Sequence, residues 1–402
     1  MARPRPLPLL VLSDRRLRPV ALSLLAHGMA QGMTIPFIAL WLMRAYGRGA
    51  GSTAAFFTLL AIGGIVTNPW LGRLSDRTGS RRTSAVTSAL LAAAGLATLA
   101  THPPFWVMLI AAGALVSCQV QPPLFALAHD HIGPGTTILP RATAIATLRA
   151  MISAAWVMAA PLGGLLLEAR SNLPFAVAAL CNICSALLTI LLCREAAQHP
   201  TRHQPIRSSG RPLWMPLMLF GCAVILIIAG NSAKLQVVPI YLSRLGLDPF
   251  TIGLFYSWMA LAELVLMPLV GQWADHAPRR SVIITGTLGG TLFFVALSLG
   301  GGAWTVLLAF PAVALMVSAI YGVGIGYVQE LDPRHAGLGG GIFFAAQGIG
   351  MALGGPTIAW AEHVLGLPLA FAVPALAIAS GALVVIGTHP RSHPLATDAA
   401  PA

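Results

Sequence analysis

Apolar positions in this chain fall into long unbroken runs rather than alternating with polar ones. Twelve runs, each near the roughly 20 residues a helix needs to cross a hydrocarbon core, cover 19–43, 52–71, 83–101, 104–127, 139–167 and 172–193, then 214–242, 249–270, 281–300, 303–327, 338–361 and 368–388. A helix satisfies its own backbone hydrogen bonds in lipid. The pattern therefore predicts an all-α integral membrane protein of twelve transmembrane helices. Polar residues gather in the turns, in the two tails (1–18 and 389–402) and in the stretch 194–213, which holds Arg194, Arg202, Arg207, Arg211, three prolines and two histidines. That stretch reads as a cytoplasmic linker between two six-helix bundles, 19–193 and 214–388.

One turn recurs. Gly72-Arg73-Leu74-Ser75-Asp76-Arg77-Thr78-Gly79-Ser80-Arg81-Arg82 follows the second run, and 199 residues on Gly271-Gln272-Trp273-Ala274-Asp275-His276-Ala277-Pro278-Arg279-Arg280 follows the eighth. A glycine, an aspartate four residues later and paired arginines, once per half, mark an internal duplication. Gly72 allows close helix approach, Asp76 is placed to face a helix N-terminus or an arginine, Gly79 permits positive φ, and Arg82 sits at headgroup level. Two further features fall at matching places: Pro36 in the first run and Pro239 in the seventh, and Gly163-Gly164 in the fifth and Gly354-Gly355 in the eleventh. Proline breaks a helix where it can expose polar backbone to a cavity, and small residues let helices pack closely.

Composition agrees: of 402 residues 56% are hydrophobic and only 9% charged. The net charge of +12 is dispersed between apolar runs, with no basic stripe to suit nucleic acid. Of 24 Lys and Arg, 18 lie in the tails and even-numbered loops, four in odd-numbered loops and two within spans, so both termini are expected in the cytoplasm. The arginine-rich start lacks a small-residue cleavage site and reads as a retained anchor. The five cysteines lie in or beside apolar runs, and Cys181-x-x-Cys184 reads as packing rather than redox or metal chemistry. His129-Asp130-His131 lacks a fourth ligand and reads as a solvated turn. Neither a metal nor a cofactor is expected, and no nucleophile–base–acid set supports an enzyme.

The first loop resembles the G-x-L-x-D-R-x-G-x-R-R signature of the major facilitator superfamily; the second is a degenerate copy, with Trp273, His276 and Pro278 replacing its Leu, Arg and Gly. The resemblance implies the two-bundle facilitator fold and a conformational latch made by Gly72, Asp76, Arg77, Gly79 and Arg82, echoed by Asp275. Ala160-Pro161-Leu162-Gly163-Gly164 looks like a shortened exporter motif. Pro123 to Asp130, Leu148-Arg149-Ala150 with Ala155-Trp156-Val157, Ala262-Glu263, and Val328-Gln329-Glu330-Leu331 with Pro333, Ala336 and Gly337 look like the bacterial sugar efflux transporters of that superfamily. This implies proton-driven export of sugars or sugar-like molecules across a bacterial inner membrane, by a monomer.

Three ionisable residues lie within spans, at about 2.5–3.5 kcal/mol each on insertion scales. Arg149 lies too deep to snorkel easily and Glu263 sits on the eighth helix; the resemblance places the fifth and eighth helices on the same side of the cavity, which implies an Arg149–Glu263 pair as the proton-coupling device. Lys234, the one lysine, stands about two turns from the outer end of the seventh predicted span, where snorkelling competes with function. A sugar calls for neutral polar groups: His27, Gln31 and Thr34 at i, i+4, i+7 on the first helix, with Gln119, Gln121, Asn231, Gln329 and Gln347. Gln236 belongs with them, and Trp156, Tyr256 and Trp258 are candidates to stack on a pyranose. Glu330 and Asp332 are expected to bridge the bundles through Arg141 or Arg334. Amphipathic drugs or other metabolites would instead favour aromatic and Met walls. A non-transporting sensor would lack the deep carboxylate.

Overall fold

The computed structural model describes residues 12–47, 49–78, 80–131, 141–193 and 213–388. Among them every regular element is helical, and twelve helices are long and apolar enough to span a membrane: α1 Arg18–Tyr46, α2 Gly51–Leu71, α3 Arg81–Ala100, α4 Phe105–Ala128, α5 Thr147–Ala169, α6 Leu173–Leu192, α7 Trp214–Arg244, α8 Pro249–His276, α9 Arg279–Ser298, α10 Gly302–Leu331, α11 Leu338–Leu365 and α12 Leu369–Gly387. All twelve predicted runs are helices, with ends shifted by a few residues.

The duplication shows in the packing. Within the first half α1 lies against α5 and α6 and α3 against α6; within the second, α7 lies against α11 and α12 and α9 against α12. Both leading helices are broken. In α1 a short 3₁₀ turn, Ile35–Phe37, interrupts the helix at Pro36; α7 divides at Val237 into Trp214–Gln236 and Val238–Arg244, with Pro239 at the restart. Proline lacks the N–H that would reach back one turn, so each break frees carbonyls at membrane depth.

The halves meet chiefly along α5–α8 and α2–α11. The paired glycines explain how. Gly163 packs on the backbone of Met33 in α1 and Gly164 on Pro249 and Phe250 of α8, where an added Cβ would fall 2.7 Å from Phe250 Cα. In the second half Gly354 packs on Ala229 and Ser232 of α7, and Gly355 on Ala54 of α2, 3.1 Å from its Cα. In each pair the first glycine thus seats its own bundle's leading helix and the second admits the opposite bundle. Thr58 adds a hydrogen bond of 3.0 Å to the Ala352 carbonyl across the α2–α11 seam. These contacts gather toward the face opposite the two Gly-to-Arg-Arg loops. There Asp248 caps α8 at the Thr251 N–H (2.8 Å), and Glu168 of α5 accepts from the Phe250 N–H (3.3 Å). Those bonds from the Thr251 N–H and hydroxyl hold the Asp248 carboxyl below the usual carboxylate range.

At the loop face the paired arginines work alike in both halves. Arg81 donates to the Ala126 carbonyl at the end of α4 (2.7 Å) and Arg82 to the Ile190 carbonyl at the end of α6. Arg279 pairs with Glu330 at the end of α10 (3.0 Å), and Arg280 donates to the Ile386 carbonyl at the end of α12. A cation at a helix C-terminus satisfies orphan carbonyls and the negative end of the dipole. Arg77 and Asp275 are exposed, while Gly79, the surroundings of Gly72 and the side chain of Asp76 lie outside what is described. The 194–213 linker, except Leu213, and both tails beyond 12 and 388 also lie outside them. Glu330 pairs with Arg279 of its own bundle, and Asp332 holds His335 (2.9 Å) and the Leu213 N–H (3.0 Å), while the side chains of Arg141 and Arg334 lie outside the described residues.

Gly164→Val should weaken the closure opposite the loops, since a branched side chain cannot fit against Phe250; overpacking of this kind costs about 1–3 kcal/mol. Spin-label distances between the α1–α2 and α7–α8 turns should lengthen. Unchanged distances would show that the α5–α8 seam does not hold that face shut.

Candidate functional site

Between the bundles, at mid-depth, lies a cavity of about 240 Å³ lined by Gln31 of α1, Gln121 of α4, Arg149, Ile152, Ser153 and Trp156 of α5, Lys234 and Leu235 of α7, Met259, Glu263 and Met267 of α8, and Val317 and Tyr321 of α10. Both halves contribute, and the three membrane-depth charges all face it. Helical periodicity explains the set: Arg149, Ser153 and Trp156 recur at i, i+4, i+7, Met259, Glu263 and Met267 at i, i+4, i+8, and Val317 and Tyr321 at i, i+4, so each helix presents one stripe.

The charges are not paired as expected. Arg149 donates to the backbone carbonyl of Tyr321 on the opposite bundle and lies 5.7 Å from the centroid of the Phe125 ring, a cation–π distance. Glu263 accepts a hydrogen bond of 3.2 Å from Ser153. Among the described residues no cation lies within 4.0 Å of Glu263, and Lys234 lines the same cavity. The expected Arg149–Glu263 pair is therefore absent; the guanidinium is drawn to a carbonyl that the sequence pattern could not reveal.

Lys234 does not snorkel. It is 5% exposed and faces the cavity. It stands in the last turn of the α7 segment Trp214–Gln236, on the face that lines the cavity beside Leu235. That turn suits a cation. The fully buried Tyr256 donates its hydroxyl to the Lys234 carbonyl and packs on Phe310 with ring centroids 5.4 Å apart, tying α7 to α8. Tyr256 is thus an anchor behind the site rather than a stacking face.

Gln31 and Gln121 meet at 3.1 Å at the cavity wall, and Trp156 offers the one aromatic ring there among the lining residues besides Tyr321. The other expected contacts lie elsewhere. His27 bonds Asn182 of α6 at 2.9 Å, beside Ser23, which contacts Thr189 at 2.8 Å and donates to the Ser185 carbonyl, so it belongs to the α1–α6 seam. Thr34 donates to the Ala30 carbonyl at 2.8 Å. Gln119 is exposed, its N–H on Asn68. Asn231 and Gln236 are buried within the helix packing, Gln347 is half-buried, and Gln329 is exposed toward the loop face. Trp258 is exposed with its indole N–H on the Leu307 carbonyl, 3.1 Å. The i, i+4, i+7 stripe on α1 fails because crossing helices give one stripe different neighbours at successive levels. Ser153, Tyr321, Met259 and Met267 were missed, yet each is reached by stepping one turn from a charged residue or along a lining helix.

A two-bundle membrane protein with a charged, bipartite cavity at mid-depth has the architecture of a transporter rather than an enzyme. The sequence model of the Major Facilitator Superfamily matches residues 20–355 and, in a second placement, 219–402. The chain belongs to that superfamily. It is similar to sugar efflux transporter A of Dickeya chrysanthemi, 26% identical over 365 residues, covering 89% of this chain and 91% of that protein. It is also similar to the class G tetracycline resistance protein of Vibrio anguillarum, 27% identical over 293 residues, 70% of this chain and 72% of that one. Among solved structures the nucleoside transporter NupG superposes with a TM-score of 0.72 at 14% identity, over 93% of this chain and 98% of that one.

Tyr256→Phe removes the hydroxyl that holds the Lys234 carbonyl and should destabilise the protein by about 1 kcal/mol, read as a shift in unfolding in mixed micelles. An unshifted transition would show that this anchor carries no weight.

Proposed function

We propose that the chain exports sugars or sugar-like small molecules by alternating access, exchanging them for protons carried on Glu263. The observation that supports this most is the placing of Glu263: it faces the cavity from the second half while accepting a hydrogen bond from Ser153 of the first, so its proton occupancy bears on both solute binding and bundle contact. A carboxylate accepts sugar hydroxyls more strongly than the neutral acid does, so protonation promotes release. The amides of Gln31 and Gln121 and the face of Trp156 suit a polyol. The cavity falls slightly below the roughly 300–1,000 Å³ usual for drug-sized ligands, and the relatives named as sugar efflux transporters accord with a small polar solute. In this reading the protein acts as a monomer in a bacterial inner membrane with the arginine-rich loop face cytoplasmic, its bundles bounded near 19–193 and 214–388, and the Gly72–Arg82 loop with Asp76 serves as the latch.

A second reading has one observation in its favour: Met259, Met267, Ile152, Leu235 and Val317 give the cavity an apolar wall, as an exporter of amphipathic drugs or other metabolites would have. Competition of labelled disaccharide exchange by tetracycline in proteoliposomes separates the two.

The coupling test uses Glu263→Gln, whose amide oxygen still accepts from Ser153 and which stands for the permanently protonated acid. Sugar exchange down its own gradient should persist, while uphill transport driven by a pH gradient should fall at least tenfold. Retained uphill transport would contradict the assignment of the proton to Glu263.

A further inference from the structure

The groups that face Glu263 are Lys234 from α7, Arg149 and Ser153 from α5 and Tyr321 from α10; α1 and α4 bring only the amides Gln31 and Gln121. Of the two cations, Arg149 is committed to the Tyr321 carbonyl and the Phe125 ring. Lys234 has its backbone pinned by Tyr256 and its ammonium directed to the cavity. No direct ion pair within 4.0 Å joins it to Glu263 among the described residues, and both line the same cavity of about 240 Å³.

We infer that Lys234 is the positioning cation of the coupling site: it keeps Glu263 ionised across the cavity, and a polyol is bound by bridging the two, donating hydroxyls to the carboxylate and accepting from the ammonium. The inference rests on the export reading above and adds to it the identity of the counter-charge and the substrate's place. Its chemistry follows from charge. An opposite charge nearby favours the carboxylate over the acid, so the lysine sets the proton concentration at which the sugar is released. Vicinal hydroxyls, which donate to one neighbour and accept from another, match an acceptor and a donor held apart; an apolar drug does not.

The test is sugar binding against pH, read from Trp156 fluorescence with lactose and maltose as probes, on the full chain in lipid nanodiscs. Wild type should bind at high pH and lose binding as Glu263 protonates. Lys234→Gln should move that midpoint upward by about one pH unit and weaken affinity, because without the cation the carboxyl takes its proton at a lower proton concentration. Lys234→Arg, which keeps the charge, should restore the midpoint. An unmoved midpoint in Lys234→Gln, or a midpoint in Lys234→Arg displaced as far as in Lys234→Gln, would overturn the inference while leaving the export reading intact. Should Lys234→Gln fail to fold, Lys234→Met, which keeps the length of the side chain and drops its charge, takes its place with the same upward shift expected, an unmoved midpoint again overturning the inference. Absence of binding by wild type at every pH would overturn the export reading itself, and the inference with it.

Discussion

A carboxylate at membrane depth must be kept company by water, by hydrogen-bond donors or by an opposite charge, because its transfer into hydrocarbon is costly. Glu263 has a cavity, the Ser153 hydroxyl and the charge of Lys234. Much of the architecture meets that requirement. Two bundles leave an interior that neither could enclose alone. Lys234 lines the cavity from the last turn before the break in α7, and the two glycine pairs let the bundles close on one face while the cavity persists beneath.

The same economy runs through the duplication. Each half uses paired arginines at the start of its third helix to tie down the ends of its fourth and sixth, and a glycine pair on its fifth helix to seat its own first helix and then meet the opposite bundle. The halves are chemically unequal where it matters. The second brings the carboxylate and the lysine; the first brings the arginine, the serine that reaches the carboxylate and the tryptophan. A repeat thus supplies the frame, and divergence between its copies supplies the site.

The frame was legible in the sequence because twenty apolar residues admit few structures in a bilayer, and because Gly72–Arg82 and Gly271–Arg280 mark the same turn twice. The three site charges were legible for a related reason: an ionised group within a span must face somewhere polar. What the sequence hid was pairing. Arg149 and Glu263 both reach the cavity, yet helix rotation turns the guanidinium to the Tyr321 carbonyl. Lys234 lies about two turns from the predicted end of its span, and that distance does not say which face of α7 it occupies; the face is the one on the cavity. His27 shares a stripe with Gln31 but meets Asn182, since crossing angles decide which neighbour each turn touches. Tyr256, read as a sugar platform, turned out to be buried against Phe310.

Coupling is the central claim, and proton release on sugar addition addresses it most directly. In weakly buffered medium near the pH at which binding is half lost, adding disaccharide to the purified protein should acidify the solution, because binding selects the ionised Glu263; Glu263→Gln should give no signal. Sugar binding by the wild type without proton release would contradict the account.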